Sequence, residues 1–340
     1  MSNIGYMKQP GTDTDGHIAL HGKTYKLPSQ PTVVVCIDGF DPAYLDRGIA
    51  DGILPTMQSV AEQGFRATAD AAMPTFTNPN NVSIITGAPT SVHGIAGNYF
   101  LDRATGEEVM VVDDSLLRGS TILAEMAGRG MRVAAITAKD KLRRILAHGL
   151  NESETKERSI CWSSQCAGAD VLTWLGKGEG GDAVSPPSQY SAELSLLVLD
   201  AGVKILEERR AELLYLTLSD WVQHKHAPGS PAADEFMSAI DARLQRLVDL
   251  GAVVALTGDH GMNDKCDDES GSPNILFVQD ELEEEFGHGC ARVICPITDP
   301  FVKHHGALGS FVRVHVSEAH TANIEDMISF CEGFAQVGMV

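Results

Sequence analysis

The sequence lacks any apolar run close to the ~20 residues that a membrane-spanning helix needs. Residues 1–30 are polar and contain no basic segment followed by an apolar one, so we expect no signal peptide and a cytoplasmic location. Basic residues are scarce, because 26 Lys and Arg stand against 46 Asp and Glu and give a net charge of −20. That charge argues against nucleic acid or an anionic membrane surface as a partner.

The cysteines show no paired framework. Cys161 and Cys166 are too far apart for the C-x2-C spacing of a structural zinc site, and so are Cys290 and Cys295. We therefore expect the seven cysteines to be reduced thiols. An acidic protein that handles an anionic substrate needs local positive charge, which lysines or metal ions can supply.

Short apolar runs alternate with helical stretches along the chain. The runs predict buried strands over residues 32–37, 131–137, 213–218 and 252–256. The helices between them are predicted over residues 121–130, 191–210 and 232–250. This alternation predicts an α/β fold, in which a mainly parallel sheet is covered by helices on both faces.

The rhythm of strands and helices also suggests how the chain is organised. We expect an N-terminal extension over residues 1–30, a core over residues 31–261, and a smaller cap-like segment over residues 262–340 that includes an incomplete C-terminal part of the core. Residues 142–189 are rich in glycine, serine and charge and break the alternation. We expect an insertion there, with no separate domain.

Polar residues of a few types follow the predicted strands at the point where each strand ends. They are Asp38, Lys139, Lys141, Asp220, His224, Asp259 and His260. In open α/β sheets, ligands bind at the carboxyl ends of the strands. Aspartate oxygen and histidine nitrogen are ordinary zinc ligands, and two clusters of them at one edge predict two metal ions, an arrangement suited to phosphoryl displacement.

Each of these residues also has an ordinary structural interpretation. An Asp after a strand is most often a cap or turn residue, and Asp220 and His224 have the spacing of neighbours on a helix. Asp259 and His260 could form a simple hydrogen-bonded pair, and lysines are usually solvated surface charges. The occurrence of ligand-type residues at three strand ends in turn favours a metal site.

Residues 73–87 predict a loop followed by a short helix that ends at Gly87. Thr77 would lie at or next to the helix N-terminus, where free N–H groups and the helix dipole favour a phosphoryl anion. A threonine hydroxyl becomes a nucleophile when a base or a metal ion removes its proton. The alternative is that Thr77 only caps the helix. Thr75 and Ser83 are weaker candidates for the nucleophile.

The ordered motifs I-D-G, T-N-P-N-N, S-D-x-x-x-H and G-D-H-G begin near residues 37, 77, 219 and 258. As a set, they resemble the alkaline-phosphatase superfamily, in its nucleotide pyrophosphatase/phosphodiesterase-like branch. The resemblance implies that one zinc ion is held by Asp38, Thr77, Asp259 and His260. It also implies that Asp220 and His224 contribute to a second zinc ion.

Within that branch, the chain is most similar to the members that cleave the carbon–phosphorus bond of phosphonoacetate. The similarity rests on Asn98 in G-N-Y-F, on T-A-K-D-K-L and on the run K-H-H-G-A-L-G-S-F-V-R-V. It implies that Asn98 and the backbone N–H of the nucleophile Thr77 bind the phosphoryl group of a small anionic phosphonate, while Lys139 and Lys141 bind its carboxylate. The implied products are acetate and phosphate, formed through a phosphothreonine. A homodimer is the assembly that we consider.

One departure from the family concerns the second zinc ion, which in these families takes a further histidine from an H-G motif near the C-terminus. Here the later H-G candidates are His288 and His305, and His305 belongs to a run that we associate with the cap. We therefore expect a shortened member with an incomplete second site. Two alternatives stay open: a phosphodiesterase or nucleotide pyrophosphatase that uses the same metals, and an inactive or binding-only homologue.

Overall fold

A computed structural model of the chain describes residues 16–177, 185–266, 270–298, 309–338 and 340. The strands within these ranges are β1 (His17–Leu20), β2 (Lys23–Lys26), β3 (Thr32–Ile37), β4 (Tyr99–Asp102), β5 (Glu107–Met110), β6 (Val133–Thr137), β7 (Ser159–Ser163), β8 (Leu213–Thr217), β9 (Val253–Gly258), β10 (Ala291–Ile294) and β11 (Arg313–Val316).

The α-helices of the described residues follow the same chain order. They are α1 (Pro42–Ala50), α2 (Pro55–Gln63), α3 (Thr77–Thr86), α4 (Thr90–His93), α5 (Ile122–Gly128), α6 (Asp140–Leu146), α7 (Ala169–Trp174), α8 (Ala192–Glu207), α9 (Pro231–Asp249), α10 (Val278–Phe286) and α11 (Ile324–Glu332). None of these helices is both long enough and apolar enough to cross a bilayer.

The central sheet consists, among the described residues, of five parallel strands in the order β7-β6-β8-β3-β9. Strand β3 lies between two strands that come much later in the sequence. Its Val34 pairs with Tyr215 of β8 on one side and with Ala255 of β9 on the other. The chain segments that follow β3, β8 and β9 therefore leave the sheet side by side, at the same edge.

The three central strands β3, β6 and β8 are buried on both faces, which explains why they read as nearly continuous apolar runs. Val33 and Val35 of β3 belong to a core shared with α8 and α9. Cys36 points to the opposite face and joins a second core, to which α3, α5 and α6 contribute. The predicted α/β architecture, with a parallel sheet and helices on both faces, is confirmed.

Two segments that we set apart from the core contribute to it. Part of the stretch 142–189, expected as an insertion, forms edge strand β7, where Ser159 pairs with Val133 of β6. Part of the expected N-terminal extension forms the β1–β2 hairpin, and its buried Ile18 packs in the same core as α5. Residues 1–15 and 178–184 of these two segments lie outside the described residues.

The segment after residue 261, expected to be cap-like, contains the antiparallel pair β10–β11 and helices α10 and α11. These elements enclose a small core of their own around Leu282 and Met327. The segment meets the rest of the protein where the backbone N–H of Asn98 donates to the carbonyl of Pro296 at 2.8 Å. His305 falls within residues 299–308, which are outside the described residues.

Candidate active site

A tight turn after β3 directs Asp38 into the edge of the sheet. Gly39 has a φ of +69°, a conformation that glycine adopts far more readily than other residues. Its backbone N–H donates to Asp259 Oδ1 at 3.1 Å. A Cβ at this position would lie 3.1 Å from the sulfur of Met262. The glycine of the I-D-G motif is therefore required both by the turn and by close packing.

Asp259 is buried at the end of β9 and is held by several donors. Its carboxylate accepts hydrogen bonds from the backbone N–H of Gly39 and of His260 and from the side-chain amide of Asn81. Burial and the nearby charge of Asp38 raise the pKa of Asp259 to about 7. The carboxylate is fixed in orientation, which is what a metal ligand requires.

His260 presents one ring nitrogen to the same edge. Its Nδ1 lies 2.9 Å from the carbonyl of Gly261, so Nδ1 carries a proton and donates it. Nε2 then faces Asp38, 3.2 Å from Oδ1. Burial alone would lower the pKa of His260, but the charge of Asp259 and the contact with Asp38 outweigh it and raise the pKa to about 10.

Asp220 and His224 follow β8 and lie one backbone turn apart. The backbone N–H of His224 donates to the carbonyl of Asp220 at 3.0 Å, and His224 Nε2 lies 2.9 Å from Asp220 Oδ2. Both side chains are almost inaccessible to solvent. The spacing of Asp220 and His224 is that of neighbours on a helix, as the sequence indicated. It also brings an imidazole and a carboxylate together at the edge of the sheet.

Lys139 connects the two predicted metal clusters. Its ammonium donates to Asp38 Oδ2 and to Asp220 Oδ1, each at 2.8 Å. Burial would lower the pKa of Lys139, but Asp220 and Asp38 outweigh burial and raise it above its usual value. The pKa values of Asp38 and Asp220 are lowered although burial acts to raise them, because Lys139 and the histidines compensate the charge.

This position of Lys139 differs from the expected contact with a substrate carboxylate. Asp38 is fully buried and Asp220 nearly so, and two buried carboxylates this close attract a cation strongly. Lys141 lines the same cavity, with its Nζ 3.9 Å from the sulfur of Met110. Burial, followed by the charge of Lys139, lowers the pKa of Lys141 to about 8.

Thr77 is the first residue of α3, and Phe76 occupies the cap position without a side-chain hydrogen bond. The interpretation of Thr77 as a cap is therefore wrong. Its hydroxyl lies 3.4 Å from each carboxylate oxygen of Asp38. Ser83 lies inside the helix, as expected, with its hydroxyl 3.0 Å from His93 Nε2. Thr77 is thus the hydroxyl of α3 that faces the predicted ligands.

Asn98 lies against the first turn of α3. Its side-chain oxygen accepts a hydrogen bond from the backbone N–H of Asn78 at 3.4 Å. Its backbone is held on both sides, by the carbonyl of Pro296 and by the N–H of Val111. The amide NH₂ of Asn98 is consequently positioned near the helix N-terminus that Thr77 opens.

Ligand-type atoms of Asp38, Asp220 and His260 all lie within 4.8 Å of one another. Carboxylate oxygen and imidazole nitrogen suit zinc, and the ammonium of Lys139 already shows that the two carboxylates hold a cation between them. The residues therefore fit a divalent metal ion. The grouping takes members from both predicted zinc sites, because Asp38 and Asp220 lie next to each other.

Sequence reasoning missed several residues that support the site. Asn81 Nδ2 donates to Asp259, and the hydroxyl of Tyr215 donates to Asn81 Oδ1 at 2.7 Å. Gln223 Nε2 donates to the backbone carbonyl of Asp38 at 2.8 Å. Asn81 carried one usable signal, since it lies one helical turn after Thr77 within T-N-P-N-N. Tyr215 is inside a strand, and its role depends on tertiary packing.

A parallel α/β sheet with Asp and His at adjacent strand ends, facing a threonine at a helix N-terminus, is the architecture of the alkaline-phosphatase superfamily. Residues 32–305 match the family described as type I phosphodiesterase / nucleotide pyrophosphatase. The chain belongs to this family.

Among solved structures, the chain is similar to phosphonoacetate hydrolase from Sinorhizobium meliloti 1021, seen in complex with phosphonoformate and in complex with phosphonoacetate. In both cases the identity is 42%, the TM-score is 0.85, and the match covers 94% of this chain and 76% of that chain.

Two curated relatives match over shorter stretches. An uncharacterized pyrophosphatase/phosphodiesterase of Schizosaccharomyces pombe is 35% identical over 77 residues, which is 22% of this chain and 15% of that protein. An ectonucleotide pyrophosphatase/phosphodiesterase of Caenorhabditis elegans is 36% identical over 75 residues, which is 21% of this chain and 9% of that protein. These matches thus span only a small part of either relative.

Proposed function

We propose that the chain hydrolyses the carbon–phosphorus bond of phosphonoacetate, with Thr77 as the nucleophile and two zinc ions as cofactors. The observation that carries this proposal is the position of the Thr77 hydroxyl, 3.4 Å from both oxygens of Asp38 at the N-terminus of α3. The 42% identity to phosphonoacetate hydrolase over nearly the whole chain supports the choice of substrate.

The metal ligands in this proposal are the predicted ones. Asp38, Thr77, Asp259 and His260 would hold one zinc ion, and Asp220 and His224 would contribute to the other. When bound, zinc favours the deprotonated alcohol and stabilises negative charge on the entering and leaving groups. The nearby N–H groups of Gly39 and Asn81 keep the carboxylate of Asp259 in place for this role.

The first turn of α3 and Asn98 would bind the phosphoryl group. Free backbone N–H groups at a helix N-terminus favour anions, and the cap residue of α3, Phe76, makes no side-chain hydrogen bond to that end. Asn98 uses its oxygen to accept from the backbone N–H of Asn78, so its NH₂ is the group that can donate to a phosphoryl oxygen. These donors orient phosphorus towards the hydroxyl of Thr77.

Thr77 Oγ1 releases its proton and forms a bond to phosphorus, while the bond from phosphorus to carbon breaks. The electron pair stays on carbon, which takes up a proton to give acetate. Water then hydrolyses the phosphothreonine, which releases phosphate and restores the hydroxyl. The difficult feature is the carbanion, whose charge spreads into the neighbouring carboxylate, where the ammonium groups of Lys139 and Lys141 would stabilise it.

The lysines distinguish this substrate from a phosphodiester. In a Lys139→Ala/Lys141→Ala variant at saturating zinc, we expect phosphate release from phosphonoacetate to fall by about 100-fold or more. Hydrolysis of an aryl phosphodiester, which has no carboxylate, should fall far less. Equal losses on both substrates, or full activity on phosphonoacetate, would contradict the assignment of the carboxylate to these lysines.

The second candidate is a phosphodiesterase or nucleotide pyrophosphatase, and the size of the cavity favours it. The cavity has a volume of about 1680 Å³, which is far more than a two-carbon phosphonate fills. Tyr190 and Trp221 line it as a tilted aromatic pair with ring centroids 5.2 Å apart. A higher kcat/KM for an aryl phosphodiester than for phosphonoacetate would select this function, and zinc binding without any turnover would select a binding-only homologue.

A further inference from the structure

Lys139 forms ion pairs with carboxylates that belong to two different predicted metal sites. Lys139 lies two residues after the end of β6 and occupies the cap position of α6. Its backbone is therefore anchored at the edge of the sheet. Its ammonium lies 2.8 Å from Asp38 Oδ2 and 2.8 Å from Asp220 Oδ1. Asp38 belongs to the first predicted zinc site and Asp220 to the second.

The ammonium of Lys139 and the divalent ions would compete for the same oxygens. Asp38 is fully buried, and Asp220 is 6% exposed, so neither carboxylate can exchange its cation for bulk water easily. A divalent ion bound to either carboxylate would lie close to the ammonium, and like charges repel strongly in a buried site. The two carboxylates therefore need a cation between them, but the ammonium of Lys139 and a divalent metal ion exclude each other from that position.

The cavity offers the side chain of Lys139 a second position. It remains 32% exposed, although its ammonium is paired with two buried groups, and it lines the large cavity together with Lys141. A lysine carries its charge on a flexible four-carbon chain, so the ammonium can change position while the backbone stays fixed. The cavity is where the proposed function puts the carboxylate of the substrate.

We propose that Lys139 is the resident counter-ion of the metal ligands, and that metal binding displaces its ammonium into the cavity, where it becomes available to an anionic substrate. The inference rests on the proposed function. Metal loading and the readiness of the lysine for substrate are then coupled, so the metal ions bind before the phosphonate. Lys139 also lowers the affinity for zinc, because each zinc ion must replace an existing ion pair.

Zinc affinity of the full chain tests this exchange. The protein is stripped with a chelator and titrated with zinc against a chromophoric competitor, as wild type and as Lys139→Met, which keeps the length of the side chain and removes its charge. We expect Lys139→Met to bind zinc at least about tenfold more tightly, because no ion pair has to be broken. Without zinc, it should melt at a lower temperature than wild type, since two buried carboxylates lose their cation.

The matched control is Lys141→Met, which removes an ammonium from the lining of the same cavity, where Nζ of Lys141 lies 3.9 Å from the Met110 sulfur. Its zinc affinity should change much less than that of Lys139→Met. Lys139→Arg keeps the charge between the carboxylates and should bind zinc no more tightly than wild type. This comparison also holds if the metal-free Lys139→Met chain fails to fold.

The outcomes separate the two proposals. If wild type binds zinc and Lys139→Met binds it with the same affinity, or if Lys139→Arg binds it about tenfold more tightly, the exchange is refuted while the proposed function stands. If wild type binds no zinc at all, both proposals are refuted. Tighter zinc binding by Lys139→Met than by Lys141→Met supports the exchange without any measurement of turnover.

Discussion

The side-chain amide of Asn81 donates a hydrogen bond to Asp259 Oδ2 at 3.0 Å, across 178 positions of the sequence. The side-chain oxygen of Asn81 accepts in turn from the hydroxyl of Tyr215 on β8. Helix α3, whose first residue is Thr77, is therefore tied to the residue that follows β9 and to the middle of β8. Because the same amide also donates to the backbone carbonyl of Thr77 at 3.0 Å, Asn81 links the proposed nucleophile to Asp259.

Replacing Asn81 by leucine tests this link. We expect an Asn81→Leu variant to bind zinc about tenfold more weakly, because the group that orients the carboxylate of Asp259 is lost. It should also lose about 1–3 kcal/mol of unfolding free energy, because a buried carboxylate and a buried hydroxyl each lose a partner. Zinc titration and denaturant unfolding measure the two effects.

The control for Asn81→Leu is Thr86→Val, a substitution at another buried polar residue of the same helix. The hydroxyl of Thr86 donates to the carbonyl of Val82 and makes no direct link to the sheet edge through that bond. Thr86→Val should lower stability by a similar order without changing the affinity for zinc. Equal zinc affinities of Asn81→Leu and Thr86→Val would refute an orienting role for Asn81.

The turn after β3 gives a second prediction. Gly39→Ala should lower the unfolding free energy by more than the roughly 1–2 kcal/mol that a left-handed residue costs, because its Cβ would also press on Met262. The shift of the Gly39 N–H away from Asp259 should weaken zinc binding as well. Thermal or denaturant unfolding and zinc titration check both effects.

Gly106 provides the matched control for Gly39. Its φ is +74°, close to the +69° of Gly39, but a Cβ there would meet nothing within 4 Å. Gly106→Ala should therefore show the backbone cost alone and leave zinc affinity unchanged. If the two alanine variants behave alike in both measurements, the packing and hydrogen bond at Gly39 have no special role.

The low pKa of Lys141 predicts how substrate binding depends on pH. Because burial and Lys139 lower this pKa to about 8, Lys141 carries its charge below pH 8 and loses it as pH rises through that value. KM for phosphonoacetate should therefore rise above pH 8. In Lys141→Arg, whose guanidinium stays charged, the rise should move to higher pH. A KM that rises at the same pH in both proteins would exclude Lys141 as its cause.

Buried His93 predicts a loss of stability in acid. Its Nδ1 accepts from the backbone N–H of Ile95, and Nε2 therefore carries the proton and donates to Ser83. Burial, followed by the charges of His21 and Arg118, lowers the pKa of His93 to about 4. The folded state thus resists protonation that the unfolded state accepts below pH 6.5, and stability falls as pH drops from 6.5 to 4.

The loss of unfolding free energy in acid follows from the difference between the pKa values of His93 in the unfolded and folded states, and it amounts to about 3 kcal/mol. Denaturant unfolding at pH 7 and pH 4.5 should show a larger loss for wild type than for His93→Gln, which keeps a donor and an acceptor but cannot be protonated in this range. The comparison cancels the titration of carboxylates that both proteins share. An equal loss in the two proteins would contradict the account of His93.

Much of the fold was readable because its signals are local. β3 has the predicted bounds, and α8 and α9 differ from the predicted helices only at their ends. β7 was missed because Ser159–Ser163 is an edge strand with partly exposed residues, so it lacks a continuous apolar run. The β1–β2 hairpin was missed for a similar reason, since β2 is mostly exposed.

The candidate site was predictable where parallel strands bring their ends together. Asp38, Asp220 and Asp259 follow strands β3, β8 and β9, and the sheet places these three strands side by side. The position of the Lys139 ammonium was not predictable. A long flexible side chain can reach several partners, and Asp38 and Asp220 lie close together only after folding. The bond from Asn81 to Asp259 likewise depends on how α3 packs against the sheet.

The most direct test of the central claim follows the phosphoryl group. The zinc-loaded chain is mixed with phosphonoacetate and quenched in acid, after which released phosphate is measured and peptides are analysed by mass spectrometry. We predict equal amounts of phosphate and acetate, a phosphoryl group on Thr77, and a loss of at least about 1000-fold in Thr77→Ala. Undiminished turnover by Thr77→Ala, or no phosphate from a chain that holds two zinc ions, would contradict the account.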